Sequence, residues 1–293
     1  MSTDSSEVFR AANRAACEER AFVLLAVTID SSIDFDGGQF VLSVAAADTE
    51  RALIQLRQYE TERRPATAVH VPMPQHEHAW VGATLYVFVL VGVALAISKG
   101  WWRVDAFTAG ELHAARVQGG QWWRAWTALT LHLDGNHLFA NLGAGVWFGY
   151  LAARQLGSGT AWLLVVSGAA FANWLEAWFG PASHRAVGAS TAVFTALGLL
   201  AAHTWRTRFH IRQNWARRWG PLVAGIVLLG WLGTEGEGTD LVAHAAGFAV
   251  GCLMGATVAL AAVERALRYV PQWLAGLATL ASMALAWIFA LRS

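Results

Sequence analysis

From Ala79 to its end the chain is a succession of long apolar runs. Seven can be marked, at about 79–98, 134–153, 159–178, 187–204, 219–234, 239–261 and 273–291. Most approach the ~20 residues a helix needs to cross a hydrocarbon layer. Inside that layer no water is present to bond backbone amides, so runs of this length must satisfy their own backbone as helices. An all-α polytopic membrane region with seven transmembrane helices is therefore expected over 76–293. The fifth run is short and holds Gly225, Gly230 and Gly233, so it reads as loosely packed or tilted. Composition agrees: 56% of residues are hydrophobic and 14% charged, against roughly 25% charged in soluble domains. Sixteen Trp suit a membrane interface. A net charge of +1 gives no general attraction to nucleic acid. Cys17 and Cys252 provide neither a disulfide framework nor a metal-ligand cluster.

Residues 1–75 read as a separate small α+β accessory domain and linker. The polar, charged start from Met1 to Arg20 reads as no cleavable signal peptide. Ala21–Val27 and Gln39–Val44 are short apolar runs expected to be strands, with Asp36-Gly37-Gly38 as a turn between them. Ala47–Glu62 is expected to be a helix with Leu53, Leu56 and Tyr59 on one face. A further helix is expected at Glu7–Glu19. Residues 63–78 read as a linker. Its His70, His76 and His78 have no enforced ligand spacing, so a solvated linker is the better reading and no metal is assigned.

Arginines set the orientation. Arg57, Arg63 and Arg64 precede the first run; Arg206, Arg208, Arg212, Arg217 and Arg218 lie between the fourth and fifth; Arg265 and Arg268 follow the sixth. Basic loops stay inside, which places the N-terminus and the accessory domain in the cytoplasm and the C-terminus outside. Lys99, Arg103, Arg116 and Arg124 in the first connection point the other way, but that loop is long and counts for less. This orientation is the one expected of a bacterial inner (plasma) membrane protein.

Within the apolar runs a few polar residues stand out. Ser190 opens the fourth and His244 lies near the start of the sixth. An ionisable side chain in such a place is costly and points to function by default. In the derived topology both residues lie near the outer ends of their segments. His137 and Asn141, four apart and so on one helix face, begin the second run just after His132. Gly247, Gly251 and Gly255 repeat every four residues, a spacing that lets helices in lipid approach closely; Ala189, Ala192 and Ala196 are the small residues expected opposite them. Each feature alone has a plain reading: a packing serine, an interhelical histidine contact, hydrogen bonding at a helix start, glycines for packing. Asp240 reads as the end of a loop, and Trp101, Trp102, Trp122, Trp123 and Trp126 as an interfacial anchor.

Taken together, Trp123-Arg124, His132…His137…Asn141, Gly188-x-Ser190 and Ala243-His244-x-x-Gly247-x-x-x-Gly251 resemble the rhomboid intramembrane serine proteases over residues 79–270. The resemblance implies a six-helix core plus a seventh C-terminal helix. It implies Ser190 as nucleophile and His244 as general base. It further implies an oxyanion hole from His137, Asn141 and the Ser190 backbone N–H, with Phe194 packed on the catalytic histidine. Gly188, Gly247 and Gly251 read as supporting residues, and His132 either as a hydrogen-bonding support for the oxyanion residues or as a side chain facing water. Transmembrane proteins in the bilayer are the implied substrates, and no cofactor is required. The accessory domain lies outside the resemblance and is free to bind an unknown cytoplasmic partner. The family often has Gly after the serine; here it is Thr191, stiff and β-branched. A rhomboid-like protein that binds membrane clients without cutting them is the alternative that Thr191 allows. A small transporter is a more distant one, since no internal repeat is visible.

Overall fold

The structure, a computed structural model, describes residues 5–63, 76–102, 104–208, 215–233, 240–267 and 269–293. The chain falls into two compact units, Met1–Val71 and Pro72–Ser293.

The first unit runs β1 (Ser5–Ala11), α1 (Arg14–Ala26), β2 (Ser31–Asp36), β3 (Gln39–Ala45) and α2 (Thr49–Arg63). The strands form an antiparallel sheet in the order β1-β3-β2. Gly37 and Gly38, at φ 56° and 84°, turn β2 into β3; a tight hairpin needs positive φ at both central positions. The core is Cys17, Leu24, Ile29, Leu42, Val44, Ala52 and Leu56. Two expectations fail here. Glu7–Glu19 begins as a strand, and Ala21–Val27 is the second half of α1. Asn13 caps that helix, its side chain accepting from the Ala15 N–H at 2.8 Å, and Cys17, Arg20 and Leu24 form its buried stripe at helical spacing. A seven-residue apolar run cannot by itself tell strand from helix. The hairpin partner of β3 is instead β2, whose alternating Ser, Asp, Ile and Phe make a weaker signal. Most of the expected linker, residues 64–75 with His70, lies outside the described residues; His76 donates its N–H to the Arg154 carbonyl at 3.0 Å.

In the second unit α3 (Trp80–Ser98) leads into a structured connection: α4 (Ala106–Gly110), β4 (Leu112–His113), α5 (Ala114–Gln118) and α6 (Arg124–Thr127). Then come α7 (Gly135–Leu156), α8 (Ser158–Phe179), the short strand β5 (Arg185–Ala186), α9 (Ser190–Arg208), α10 (Trp215–Gly233), α11 (Leu241–Val258), α12 (Ala261–Leu267) and α13 (Gln272–Ala290). Long helices occur at all seven apolar runs. Four of them, α3, α8, α11 and α13, are long and apolar enough to cross a membrane. In α7 and α9 polar residues, the candidate site residues among them, dilute the hydropathy; in α10 the apolar stretch is Trp219–Leu228. Large apolar side chains face outward, Phe88, Phe139, Trp147 and Leu253 all being more than 60% exposed, a surface suited to lipid and not to water.

The first connection is held by buried polar contacts. The Arg124 guanidinium, 1% exposed, donates to the carbonyls of Thr108 and Glu111 and to Gln121 Oε1 at 3.0, 2.7 and 2.6 Å. Its tryptophans pack on the chain's own last helix: Trp123 stacks on Phe289 and Trp102 on Trp287, with ring centroids 5.7 and 5.0 Å apart.

Candidate active site

Three helix starts carry the polar residues singled out in the sequence. Asp134 caps α7 by accepting the His137 N–H at 2.8 Å, which fixes His137 in the first turn and puts Asn141 one turn on. Ser190 is the first residue of α9. Asp240 caps α11, its side chain accepting from Ala243 N at 3.0 Å, and His244 follows in the first turn, 6% exposed.

The segment before Ser190 is tied down from both sides. β5 pairs with β4, Arg185 opposite His113 and Ala186 opposite Leu112. Gly188 donates its N–H to Ala128 O at 3.0 Å, and Ala189 N donates to His132 Nε2 at 3.4 Å. Gly188 has φ 136°, which a side chain would strain, and a Cβ there would stand 2.9 Å from His137 Nε2 and 3.5 Å from Ser190 Oγ. Only glycine lets the His137 ring and the Ser190 hydroxyl flank the same backbone. The His132 and His137 rings meet edge-on at 5.1 Å. Burial, and then the proximity of His137, pushes the His132 imidazole down to about 4, so it is neutral and able to accept the Ala189 N–H.

Asn141 Nδ2 is buried and has no hydrogen-bond partner among the described residues, although its carbonyl accepts the Tyr86 hydroxyl at 2.8 Å. A buried orphan donor calls for an explanation. The first N–H groups of α9 are likewise left over at a helix start.

α9 and α11 pack backbone against backbone. A Cβ at Gly251 would collide with Thr195 O, one at Gly255 with Leu199 O, and one at Gly198 with Phe248 O. At Gly247 it would lie 2.7 Å from Thr191 O and 3.1 Å from Thr191 Cγ2. The glycines of α11 therefore face Thr191, Thr195 and Leu199, not Ala189, Ala192 and Ala196 as expected. Ala192 and Ala196 lie on another side of α9, against Val165, Ala169 and Ala170 of α8. Thr191 is buried, and its methyl occupies the space above Gly247. Across this seam the Phe194 ring lies 4.5 Å from the His244 ring.

Residues 119–261 match the family model of the Rhomboid domain. This segment is a rhomboid domain. No curated protein matches the chain. The rhomboid domain runs from Gly119 to Ala261 and so includes every candidate residue from His132 to Gly251. It belongs to a family of intramembrane proteases, and with the four apolar helices it marks the chain as an integral membrane protein.

One cluster near these candidate residues escaped sequence reasoning. Glu176, His184 and Asp240 bring their side-chain donor atoms within 4.8 Å of one another. They sit on three separate elements, so no spacing links them. The visible signal was Glu176 itself, an acid inside an apolar run.

Proposed function

We propose that this rhomboid domain is an intramembrane serine endopeptidase cutting membrane-anchored proteins in or near their transmembrane segments. Ser190 Oγ attacks the scissile carbonyl carbon while His244 takes its proton. The oxyanion of the tetrahedral intermediate accepts hydrogen bonds from His137, Asn141 and the Ser190 N–H. His244 then returns the proton to the leaving amine as the C–N bond breaks, and water repeats the cycle on the acyl-enzyme. No cofactor takes part in this dyad chemistry.

The observation that carries the reading is the orphaned Asn141 Nδ2, one helical turn beyond His137, whose ring lies beside Gly188. A donor kept buried without a partner costs stability and is useful when charge develops beside it. The packing of Phe194 on His244 supports the assignment of the base. Seven membrane crossings are the reading of the apolar runs, and the arginine distribution supports an N-terminus in the cytoplasm, as in a bacterial plasma membrane, with the site toward the outer face. Residues 1–75 are then a cytoplasmic accessory unit beside the 76–293 peptidase, free to bind a partner of its own.

The test is labelling of detergent-solubilised protein with a fluorophosphonate probe, alongside cleavage of a quenched transmembrane peptide. Wild type should label and cleave, while Ser190→Ala and His244→Ala should do neither and keep their elution profile. Retention of near wild-type cleavage by either variant would overturn the dyad. Inactivity of well-folded wild type on every membrane substrate would favour client binding without proteolysis.

A further inference from the structure

Glu176 lies in the last turn of α8, His184 in the connection that leads to Ser190, and Asp240 at the cap of α11. The Glu176 side chain is 3% exposed. Neither of its carboxylate oxygens, nor His184 Nε2, has a hydrogen-bond partner among the described residues. His184 Nε2 nevertheless stands 3.4 Å from Glu176 Oε1 and 3.1 Å from Asp240 Oδ2. Asp240 uses its other oxygen, Oδ1, to cap α11, so Oδ2 is left for the cluster. No Arg or Lys pairs with either carboxylate among the described residues.

Two carboxylates therefore converge on a single imidazole nitrogen, at distances that no hydrogen bond among the described residues accounts for. Glu176 is the buried member, the His184 and Asp240 side chains being 21% and 24% exposed, and a carboxyl so placed is stable when paired, protonated or bound to a metal. In tetrahedral Zn²⁺ sites, ligand bonds of about 2.0–2.2 Å put neighbouring donor atoms roughly 3.4 Å apart. The two separations from His184, 3.4 and 3.1 Å, lie near that edge, and all three donor atoms fall within 4.8 Å of one another. The donor set, one imidazole with two carboxylates, suits Zn²⁺ better than Ca²⁺ or Mg²⁺, which take oxygen ligands in larger number.

The backbone holding these side chains is already fixed. His184 N donates to Pro181 O at 2.9 Å, and His184 O accepts from Ala114 N at 3.0 Å. Gly180 N closes the end of α8 on Glu176 O at 2.7 Å. A site whose ligands are held before the ion arrives loses little entropy on binding.

We propose that Glu176, His184 and Asp240 form a Zn²⁺ site with a fourth position for water. Bound there, the ion joins the end of α8, the connection that precedes Ser190, and the start of α11 one turn before His244. Its role is a clamp on the two helix starts that carry the candidate dyad. The link to proteolysis rests on the function proposed above; the binding itself does not.

The experiment uses full-length, tag-free protein in detergent, stripped with a chelator and titrated with Zn²⁺ against a chromophoric competitor. Co²⁺ absorption reports the coordination geometry. Wild type and Ser190→Ala should each bind one more equivalent than Glu176→Gln, His184→Asn or Asp240→Asn. Co²⁺ should give the intense visible bands of a tetrahedral site, and Zn²⁺ should raise the thermal midpoint of wild type only. Each substitution is read by itself on monodisperse protein, so one unstable variant leaves the other two decisive. Equal stoichiometry in wild type and the variants overturns the site, as does an octahedral Co²⁺ spectrum or displacement by equimolar Ca²⁺. Tight binding by Ser190→Ala with no cleavage by wild type would leave the metal site standing and count against the peptidase.

Discussion

Phe194 stands one turn after Ser190 on α9, and its ring meets the His244 imidazole on α11 at 4.5 Å with the planes inclined by 36°. The His244 imidazole is thus supported by the helix that carries Ser190. Aromatic contacts of this kind contribute about 0.5–1.5 kcal/mol beyond burial. Phe194→Ala should lower turnover about tenfold, the rate equivalent of the upper end of that range, while Phe194→Tyr keeps most of it. Steady-state cleavage of a quenched peptide measures both, and equal rates for Ala and wild type would remove the supporting role.

Asn141 should act on the transition state more than on binding. Loss of one oxyanion donor typically costs about 10²–10³ in turnover. Asn141→Ala should therefore reduce kcat by that order with little change in KM. A raised KM at constant kcat would instead make Asn141 a substrate-binding residue.

The glycine seam makes a stability prediction with an internal control. A Cβ at Gly251 collides with the Thr195 carbonyl, whereas one at Gly143 of α7 meets nothing within 4 Å. Gly251→Val should force α9 and α11 apart, lowering the thermal midpoint and abolishing cleavage. Gly143→Ala should be neutral or slightly stabilising, since Ala is the better helix former by up to about 1 kcal/mol. Thermal scans in the same detergent compare the two.

His132 gives a pH dependence of defined sign. Its folded value is depressed to about 4 by burial and by His137, from an unfolded value of about 6.5. As pH falls below about 6.5 the unfolded chain takes the proton first, so the fold loses stability down to about pH 4 and no further from this group. His132→Gln keeps an acceptor for the Ala189 N–H without titrating. Its midpoint should fall less steeply than that of wild type between pH 6.5 and 4.

The accessory unit should be dispensable for the chemistry. Residues 1–71 form a compact unit with a core of their own. A protein beginning near Pro72 should insert and still cleave a model substrate, with any change confined to abundance or client choice. A truncated protein that inserts and folds yet cuts nothing would place the unit inside the catalytic machinery.

The membrane helices were legible because length and apolarity alone demand a helix in lipid, whatever the local propensity. The soluble unit was less so: Ala21–Val27 is apolar enough for a buried strand, and only the Asn13 cap and the Cys17–Arg20–Leu24 stripe decide for helix. Ser190, His244, His137 and Asn141 stood out as candidates because polar groups are conspicuous among apolar ones. Which face of α9 meets α11 was not readable, since Ala and Thr both serve at close approach and a rotation of about 100° per residue separates them. Glu176, His184 and Asp240 show the remaining limit, because only the folded chain places them together.

At Gly198, Gly251 and Gly255 the backbones of α9 and α11 come into contact, with no glycine side chain to hold them apart. A layer of side chains can yield by changing rotamers, but touching backbones cannot. The two helices therefore move as a single post. For the proposed proteolysis this means that elements meeting the post through side chains are the ones expected to yield to an incoming segment, while the post holds the starts of α9 and α11 in register.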